Sequence, residues 1–311
     1  MPINAGYEYA EAQKRLDDAK TNEEKIRALE YMLSVSPSHK GAEKLRLEIK
    51  TKISKLKTKI EKERAKKTGG FSIAIKKEGA AQIALIGIPN SGKTTILNKF
   101  ANTKALVADY EFTTRMPEVG VMDYNGIKVQ LVEIPAIFLG FNESNKGPSL
   151  LAIARSADLI VIIIDGTRDC EQQIKIIELE FSKNFVVLKK LKSNNREGYE
   201  TRKCLVIVNK ILKNFKCEYP VSWVGDFKDA VWTMLDLIYV YTKQPGREKD
   251  FPPVALKKGS SVGDLARIVH HDFIDKFKFA RVWGKSVKHN GSNVGLEHKL
   301  KEGDIVEFHV K

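Results

Sequence analysis

The segment GIPNSGKT at residues 87–94 constrains this chain more than any other part of its sequence, because it fits the pattern G-x4-G-K-[ST]. It follows the apolar run IALI and precedes the helix-like run TTILNKF. In that context the glycines let backbone N–H groups and a helix N-terminus approach phosphate groups, and the lysine adds a positive charge. The pattern predicts a nucleoside triphosphate site. A chance match in a tight strand–helix turn is the alternative.

Around this segment, strand-like and helix-like runs alternate, which predicts an α/β domain with a mostly parallel sheet and helices on both faces. The predicted strands are 81–87, 119–124, 127–134, 159–165, 203–208 and 219–224, and the predicted helices lie near 93–101, 148–156, 171–183 and 227–242. The pair Asn125-Gly126 is a two-residue turn that joins antiparallel strands, so the second and third strands are expected to form a hairpin.

The first 67 residues predict a helical region that carries much of the positive charge. The chain has a net charge of +14, and residues 40–67 alone contain 12 Lys/Arg against 4 Asp/Glu. Within that stretch, apolar residues recur every three or four positions, which predicts a long basic helix; they are Leu45, Ile49, Ile53, Leu56 and Ile60. Thr21 and Glu24 predict a capping box for an earlier helix. The basic helix favours nucleic acid, chiefly ribosomal RNA. The alternatives are a solvated helix, or one whose apolar stripe packs on the α/β domain or binds a helical partner.

After Pro245-Gly246 the pattern changes to short strands and one helix with glycines at the turns, which predicts a small α+β domain. We therefore predict three regions: a basic helical region at 1–67, the α/β domain at 68–246 and the small domain at 247–311. The longest aliphatic run, Leu159 to Ile164, is far shorter than the roughly 20 residues that cross a bilayer. No secretory signal is visible either. These features predict a cytoplasmic protein with no membrane partner.

The motifs that follow the phosphate loop point to a family. In order and spacing, ADYEFTTRMPEVGVM, VQLVEIPAIF and VIVNK resemble the Obg-like translation-factor GTPases, in particular the developmentally regulated GTP-binding proteins and their shorter archaeal relatives. The string FARVWGKSVKHN at 279–290 resembles their C-terminal TGS domain. The resemblance implies a P-loop G domain, a ubiquitin-like β-grasp fold for the TGS domain, and a GTP/GDP-binding factor that acts on the ribosome or RNA. A regulatory protein partner is also implied.

The same resemblance assigns roles to individual residues. Lys93 and Thr114 are the catalytic candidates, with Thr113 as the alternative to Thr114. Thr94, Thr114 and Glu133 are the candidate Mg²⁺ ligands, and Asn90 matches an asparagine that helps to bind an activating K⁺ in some related GTPases. The candidate nucleotide-binding residues are Gly87, Ile88, Pro89, Asn90, Ser91, Gly92, Lys93, Thr94, Thr95, Ala136, Asn209, Lys210, Ser222 and Trp223.

Two motifs depart from the family pattern. The usual D-x-P-G reads Glu133-Ile134-Pro135-Ala136, so a longer carboxylate faces a metal that demands strict geometry, and glycine's conformational freedom is lost. Slow or assisted hydrolysis is expected. The usual N-K-x-D reads Asn209-Lys210-Ile211-Leu212, and Leu212 cannot accept the guanine protons. Three interpretations stay open: a weak Mg²⁺-dependent GTPase, a non-hydrolysing RNA or ribosome adaptor, and an Obg relative that uses ATP. The insertion that developmentally regulated GTP-binding proteins carry inside the G domain is also absent.

Overall fold

Residues 7–19, 21–37, 42–67, 75–101, 116–192, 196–210, 215–270, 274 and 276–310 are described by a computed structural model of the protein. The N-terminal part consists of α1 (Tyr7–Asp18), α2 (Asn22–Val35) and α3 (Glu43–Lys67). The predicted capping box is confirmed, because Thr21 Oγ1 accepts the N–H of Glu24 at 3.1 Å and the Glu24 carboxylate accepts the N–H of Thr21 at 3.0 Å. We call α1–α3 the helical arm.

The central domain is built on a six-stranded sheet. Its elements are β1 (Gln82–Ile86), α4 (Lys93–Phe100), β2 (Glu118–Tyr124), β3 (Ile127–Glu133), α5 (Gly147–Ser156), β4 (Leu159–Asp165), α6 (Cys170–Ser182), β5 (Val186–Leu188), β6 (Glu200–Arg202), β7 (Cys204–Asn209), β8 (Val221–Trp223) and α7 (Phe227–Leu235). The strand order is β2-β3-β1-β4-β7-β8, and β5 and β6 form a separate parallel pair. The sheet is parallel except for the β2–β3 hairpin, whose turn residues Asn125 and Gly126 have φ of +52° and +90°. The predicted hairpin is confirmed.

Helices cover both faces of this sheet, as predicted. Alternate residues of β1 enter different cores: Ala84 and Ile86 pack with α5 and α6, whereas Ile83 and Leu85 pack with α4 and α7. Strands β1 and β4 are buried along their whole length, because each lies between two parallel neighbours and under helices on both sides. The carboxyl ends of these strands therefore meet at one edge, where the phosphate loop begins.

The C-terminal domain is a five-stranded mixed sheet with one helix. It contains β9 (Leu237–Lys243), β10 (Val254–Lys257), α8 (Val262–Val269), β11 (Phe277–Trp283), β12 (Ser292–Val294) and β13 (Ile305–Val310), with strand order β10-β9-β13-β11-β12. Val262 and Leu265 of α8 pack on one face of the sheet. No helix in the described ranges is both long and apolar enough to span a membrane.

The helix predicted at 227–242 is wrong in its second half. Helix α7 ends at Leu235, Asp236 adopts a left-handed φ of +54°, and β9 follows at once. Ile238 and Val240 are buried on one face of β9 while Tyr239 and Tyr241 lie on the other, which is the two-residue period of a strand. Strand β9 precedes the predicted boundary at 246/247 and yet pairs in parallel with β13 of the C-terminal sheet.

Candidate nucleotide-binding site

The phosphate loop runs from the end of β1 to the first turn of α4. Gly92, the residue before α4, has φ +96°. A Cβ atom at Gly92 would overlap Nδ2 of Asn209, which donates a hydrogen bond to the carbonyl of Ser91 at 3.0 Å. Glycine is required here by both the backbone conformation and the close approach of the asparagine. The loop is thus fastened to the end of β7.

Lys93 lies beneath the loop. Its side chain is only 6% exposed, and its Nζ donates to the carbonyls of Gly87 at 3.2 Å and Ile88 at 3.1 Å. Burial lowers the pKa of Lys93, while the charge of Glu133 acts in the opposite direction. The ammonium group is therefore held next to the loop by two neutral acceptors, and a phosphate oxygen would replace a neutral partner with a charged one.

Thr94 and Glu133 meet directly. The Thr94 hydroxyl donates to Oε1 of Glu133 at 2.7 Å, and Oε2 of Glu133 is buried with no hydrogen-bond partner among the described residues. Burial raises the pKa of Glu133, against the hydrogen bond from Thr94 and the charge of Lys93. A hydroxyl and a carboxylate are oxygen donors of the kind Mg²⁺ prefers, and the unpartnered oxygen supplies a free position. These two residues fit a Mg²⁺ ion.

The segment at 136–142, which follows β3, is held by hydrogen bonds at both of its ends. Ala136 is partly buried, and the N–H of Ile137 donates to the carbonyl of Gly87 at 3.0 Å. Further along, the fully buried carboxylate of Glu180 accepts the N–H groups of Gly140 at 3.0 Å and Asn142 at 2.9 Å. Sequence reasoning missed Glu180, because no motif marks an acidic residue in the last turn of a helix.

The end of β7 carries the candidate base-binding residues. Lys210 Nζ donates to the carbonyl of Asn90 at 3.1 Å and to Oδ2 of Asp165 at 2.6 Å. Burial alone would raise the pKa of Asp165, but the hydrogen bonds from Lys210 and Thr167 outweigh it and lower the pKa to about 2. The sequence indicated only a capping or turn role for Asp165. Its position at the end of a predicted strand beside the Asn209 strand was the available signal.

The remaining predicted residues are distributed as follows. Ser222 and Trp223 lie on β8 opposite Ile207 and Val208 of β7; Ser222 is buried and Trp223 is 38% exposed. Pro89, Asn90, Thr94 and Thr95 are exposed, whereas Gly87, Ser91 and Lys93 are buried and Ile88 and Gly92 are intermediate. Thr113, Thr114, Ile211 and Leu212 lie outside the described residues.

Comparison with known proteins defines the class. Residues 82–210 match the family model of the 50S ribosome-binding GTPases, and residues 238–310 match that of the TGS domain. Together with the α/β fold and the loop at 87–94, these matches make the chain a GTP-binding protein with a GTPase domain and a C-terminal TGS domain. Both domains implied by the motifs at 87–94 and 279–290 are confirmed.

The curated relatives narrow this class. An uncharacterized GTP-binding protein of Methanocaldococcus jannaschii is 29% identical, with 93% of each chain covered. The developmentally regulated GTP-binding protein 2 homolog of Dictyostelium discoideum is 28% identical, over 92% of this chain and 98% of the relative. A solved GTP-binding protein from Pyrococcus horikoshii aligns with 74% of this chain and 100% of its own, at 14% identity and a TM-score of 0.46. The chain is thus similar over more than nine-tenths of its length to curated GTP-binding proteins, the developmentally regulated ones among them.

Length separates this chain from those relatives. The alignment with the Methanocaldococcus protein spans 364 positions, more than the 311 residues of this chain. The relative therefore contains segments that this chain lacks.

Proposed function

We propose that this protein is a weak, Mg²⁺-dependent GTPase whose bound nucleotide controls how the helical arm and TGS domain engage the ribosome or RNA in the cytoplasm. One observation carries the proposal: a buried lysine, a glycine-lined loop, a hydroxyl and a carboxylate converge at the carboxyl end of the sheet. This arrangement offers positive charge, amide hydrogens and metal ligands to a triphosphate.

Each residue has a separate task in this proposal. The loop amides at 87–92 and Lys93 bind the phosphates, and Lys93 stabilises the charge that develops as the terminal phosphate leaves. Thr94, Glu133 and, from the family resemblance, Thr114 would hold Mg²⁺, which neutralises phosphate charge when it is bound. The backbone of Ala136 follows Glu133 and would sense the terminal phosphate. Asn90 is the proposed K⁺ contact.

Slow turnover is expected because Glu133 stands where the family has aspartate, and its additional methylene displaces the carboxylate from the strict geometry that Mg²⁺ demands. The altered motifs at 133–136 and 209–212 favour a second candidate, a non-hydrolysing nucleotide-binding adaptor. The base is a further open choice, since Asn209 and Lys210 are placed at the loop while position 212 is leucine.

Phosphate release separates these candidates. Purified full-length protein is supplied with GTP or ATP, with Mg²⁺, and with or without K⁺. We expect GTP turnover above that of Lys93→Ala, by about 10²-fold if the lysine stabilises transition-state charge. Release equal to that of Lys93→Ala would exclude the GTPase and leave the adaptor. A strong preference for ATP would overturn the guanine assignment.

The RNA part of the proposal rests on how α3 uses its lysines. Two of its lysines have acidic partners: Lys50 pairs with Glu197 at 2.6 Å, and Lys57 lies 3.6 Å from Glu30. The outward Lys52, Lys55 and Lys59 are exposed and form no ion pair with any described residue. Their spacing of three and four residues places them on one face of the helix, about 10 Å from first to last. This row, rather than the whole basic helix, is the proposed phosphate contact.

The salt dependence of RNA binding tests whether these three lysines contact phosphate groups. Replacing Lys52, Lys55 and Lys59 together with glutamine should lower the salt slope of binding to a short RNA duplex by about 3, one for each lost phosphate contact. The control replaces Lys175, Lys257 and Lys258, which are equally exposed and remove the same net charge. An equal loss in both variants would show that net charge alone drives binding and would contradict the proposed contact.

A further inference from the structure

We propose that Asp165 is a positioning residue for nucleotide binding: it fixes Lys210 beside the phosphate loop, so that the site can hold a purine nucleotide although position 212 carries no base-reading carboxylate. This inference rests on the proposed nucleotide binding. It assigns a role to a residue outside the G-x4-G-K-[ST], D-x-P-G and N-K-x-D motifs.

Asp165 is placed by the sheet itself. It is the last residue of β4, and its register partner in the parallel neighbour β7 is Asn209. Because parallel strands end at the same edge, the carboxylate arrives next to the residue that follows Asn209. Only 2% of Asp165 is exposed, so its charge must be met by protein groups.

Both carboxylate oxygens have defined partners. Oδ1 accepts the backbone N–H of Thr167 at 3.0 Å and its hydroxyl at 2.6 Å, while Oδ2 accepts Lys210 Nζ at 2.6 Å. Arg168 Nε lies farther away, at 3.9 Å. The Thr167 contacts therefore orient the carboxylate, and the oxygen left over is the one that holds Lys210.

Lys210 is restrained at both ends as a result. Its backbone has φ +56°, an unusual conformation for a residue with a side chain, and its ammonium group bridges Asp165 and the carbonyl of Asn90. The side chain is still 44% exposed, so its aliphatic stem presents a surface along the edge of the loop. An unrestrained lysine side chain would lose rotamer freedom when it covers a base, which weakens binding. Because Asp165 already orders Lys210 in the free protein, this entropy is not lost on binding.

The mechanism predicts an effect that does not depend on the base. The lysine stem covers the face of a purine, whereas discrimination between guanine and adenine requires contacts to the base edge. Loosening Lys210 should therefore weaken guanine and adenine nucleotides by the same factor. A residue that read the base edge would affect one of them more.

Calorimetric titration of the full-length protein with GDP and with ADP, both with Mg²⁺, tests the inference. We expect Asp165→Asn to raise the Kd of both nucleotides about tenfold, or about 1.4 kcal/mol. Lys210→Met should have a similar effect, and the double variant should bind like Lys210→Met alone, because the two residues act as one unit. The control is Asp304→Asn in the C-terminal domain, another fully buried aspartate, which accepts two backbone N–H groups and should leave Kd unchanged.

A second variant covers the case in which Asp165→Asn does not fold. Thr167→Val changes an exposed residue and removes the 2.6 Å hydrogen bond that orients the carboxylate. It should raise both Kd values about two- to threefold, and it should have no effect when Lys210 is already methionine.

The outcomes are separable. If the unmodified protein binds neither nucleotide, the proposed function is wrong. If it binds but Asp165→Asn and Thr167→Val bind equally well, nucleotide binding stands and the role of Asp165 is refuted. A loss confined to GDP, or additive effects in the double variant, would also refute positioning through Lys210.

Discussion

Replacing Lys57 with methionine should release the helical arm from the G domain. Lys57 Nζ donates to the carbonyl of Gly198, lies 3.6 Å from a carboxylate oxygen of Glu30, and sits 4.3 Å above the ring of Phe185 and 4.6 Å above that of Tyr199. The lysine side chain is 12% exposed and that of Glu30 is 16% exposed. Methionine preserves most of the stem but removes the charge that all four contacts share.

The size of the effect follows from these contacts. A hydrogen bond to a charged group contributes about 1.5–3 kcal/mol, and a desolvated cation over a ring contributes about 0.5–2 kcal/mol. Desolvation of the ammonium group offsets part of this sum, and Glu30 retains Arg196 at 3.2 Å, so its charge is not left alone. We expect a net loss of about 2–3 kcal/mol in the local stability of α3.

Hydrogen exchange measures this loss at the helix itself, which avoids assigning one unfolding free energy to a multidomain chain. A loss of about 2–3 kcal/mol corresponds to roughly 30- to 150-fold faster exchange of α3 amides. The matched control is Lys50→Met, because Lys50 pairs with Glu197 on the same helix but both side chains are nearly half exposed. An exposed pair contributes about 0–1 kcal/mol. Unchanged α3 protection in Lys57→Met, or equal losses in both variants, would refute the argument.

Three further predictions concern the site. Gly92→Ala should raise the Kd for GDP at least about tenfold, because the added Cβ overlaps the Asn209 amide. The control is Gly246→Ala: this glycine has φ +75° and no atom within 4 Å of an added Cβ, so the substitution adds only backbone strain and should leave the Kd for GDP unchanged. Because the pKa of Asp165 is lowered, its carboxylate stabilises the fold above pH about 4 and loses this contribution toward pH 2. The difference in melting temperature between the unmodified protein and Asp165→Asn should therefore narrow over that pH range. A constant difference would contradict the lowered pKa of Asp165. Glu180→Gln should place an amide donor against the backbone N–H of Gly140 or Asn142, cost about 1–3 kcal/mol and accelerate amide exchange at 140–142. Unchanged exchange there would contradict the role of Glu180 in holding this segment.

Local patterns in the sequence were enough for much of the fold. The turn at Asn125-Gly126 needs two residues with left-handed backbone conformations, and both have positive φ in the structure. These two residues were therefore enough to predict the β2–β3 hairpin. Thr21 and Glu24 satisfy each other within one helical turn. The apolar run at Leu159 to Ile164 became the fully buried strand β4. In each case the deciding interactions lie within a few residues of one another.

Failures arose where a partner distant in the chain decided the outcome. The sequence pattern predicts a helix through residue 242, but residues 237–243 form β9, which pairs with β13 more than 60 residues later, and this pairing overrides local preference. For the basic helix α3, the sequence left RNA contact and packing on the α/β domain as alternatives, because it does not show which lysines face the domain. In the folded protein, Lys50 and Lys57 contact a turn of the G domain at 197–198, whereas Lys52, Lys55 and Lys59 are exposed.

The sequence by itself determined that this protein is built on a phosphate loop between a buried strand and a helix, because G-x4-G-K-[ST] in that context places amides and a lysine through local backbone geometry. Only the tertiary structure decided how that loop is held. Asn209 and Lys210 hydrogen-bond to it, and Asp165 holds Lys210. Asp165 ends β4 and Asn209 ends β7, two strands that are distant in the chain and adjacent only in the parallel sheet. The contact between Thr94 and Glu133 likewise depends on the register of β1 and β3, which no single segment specifies.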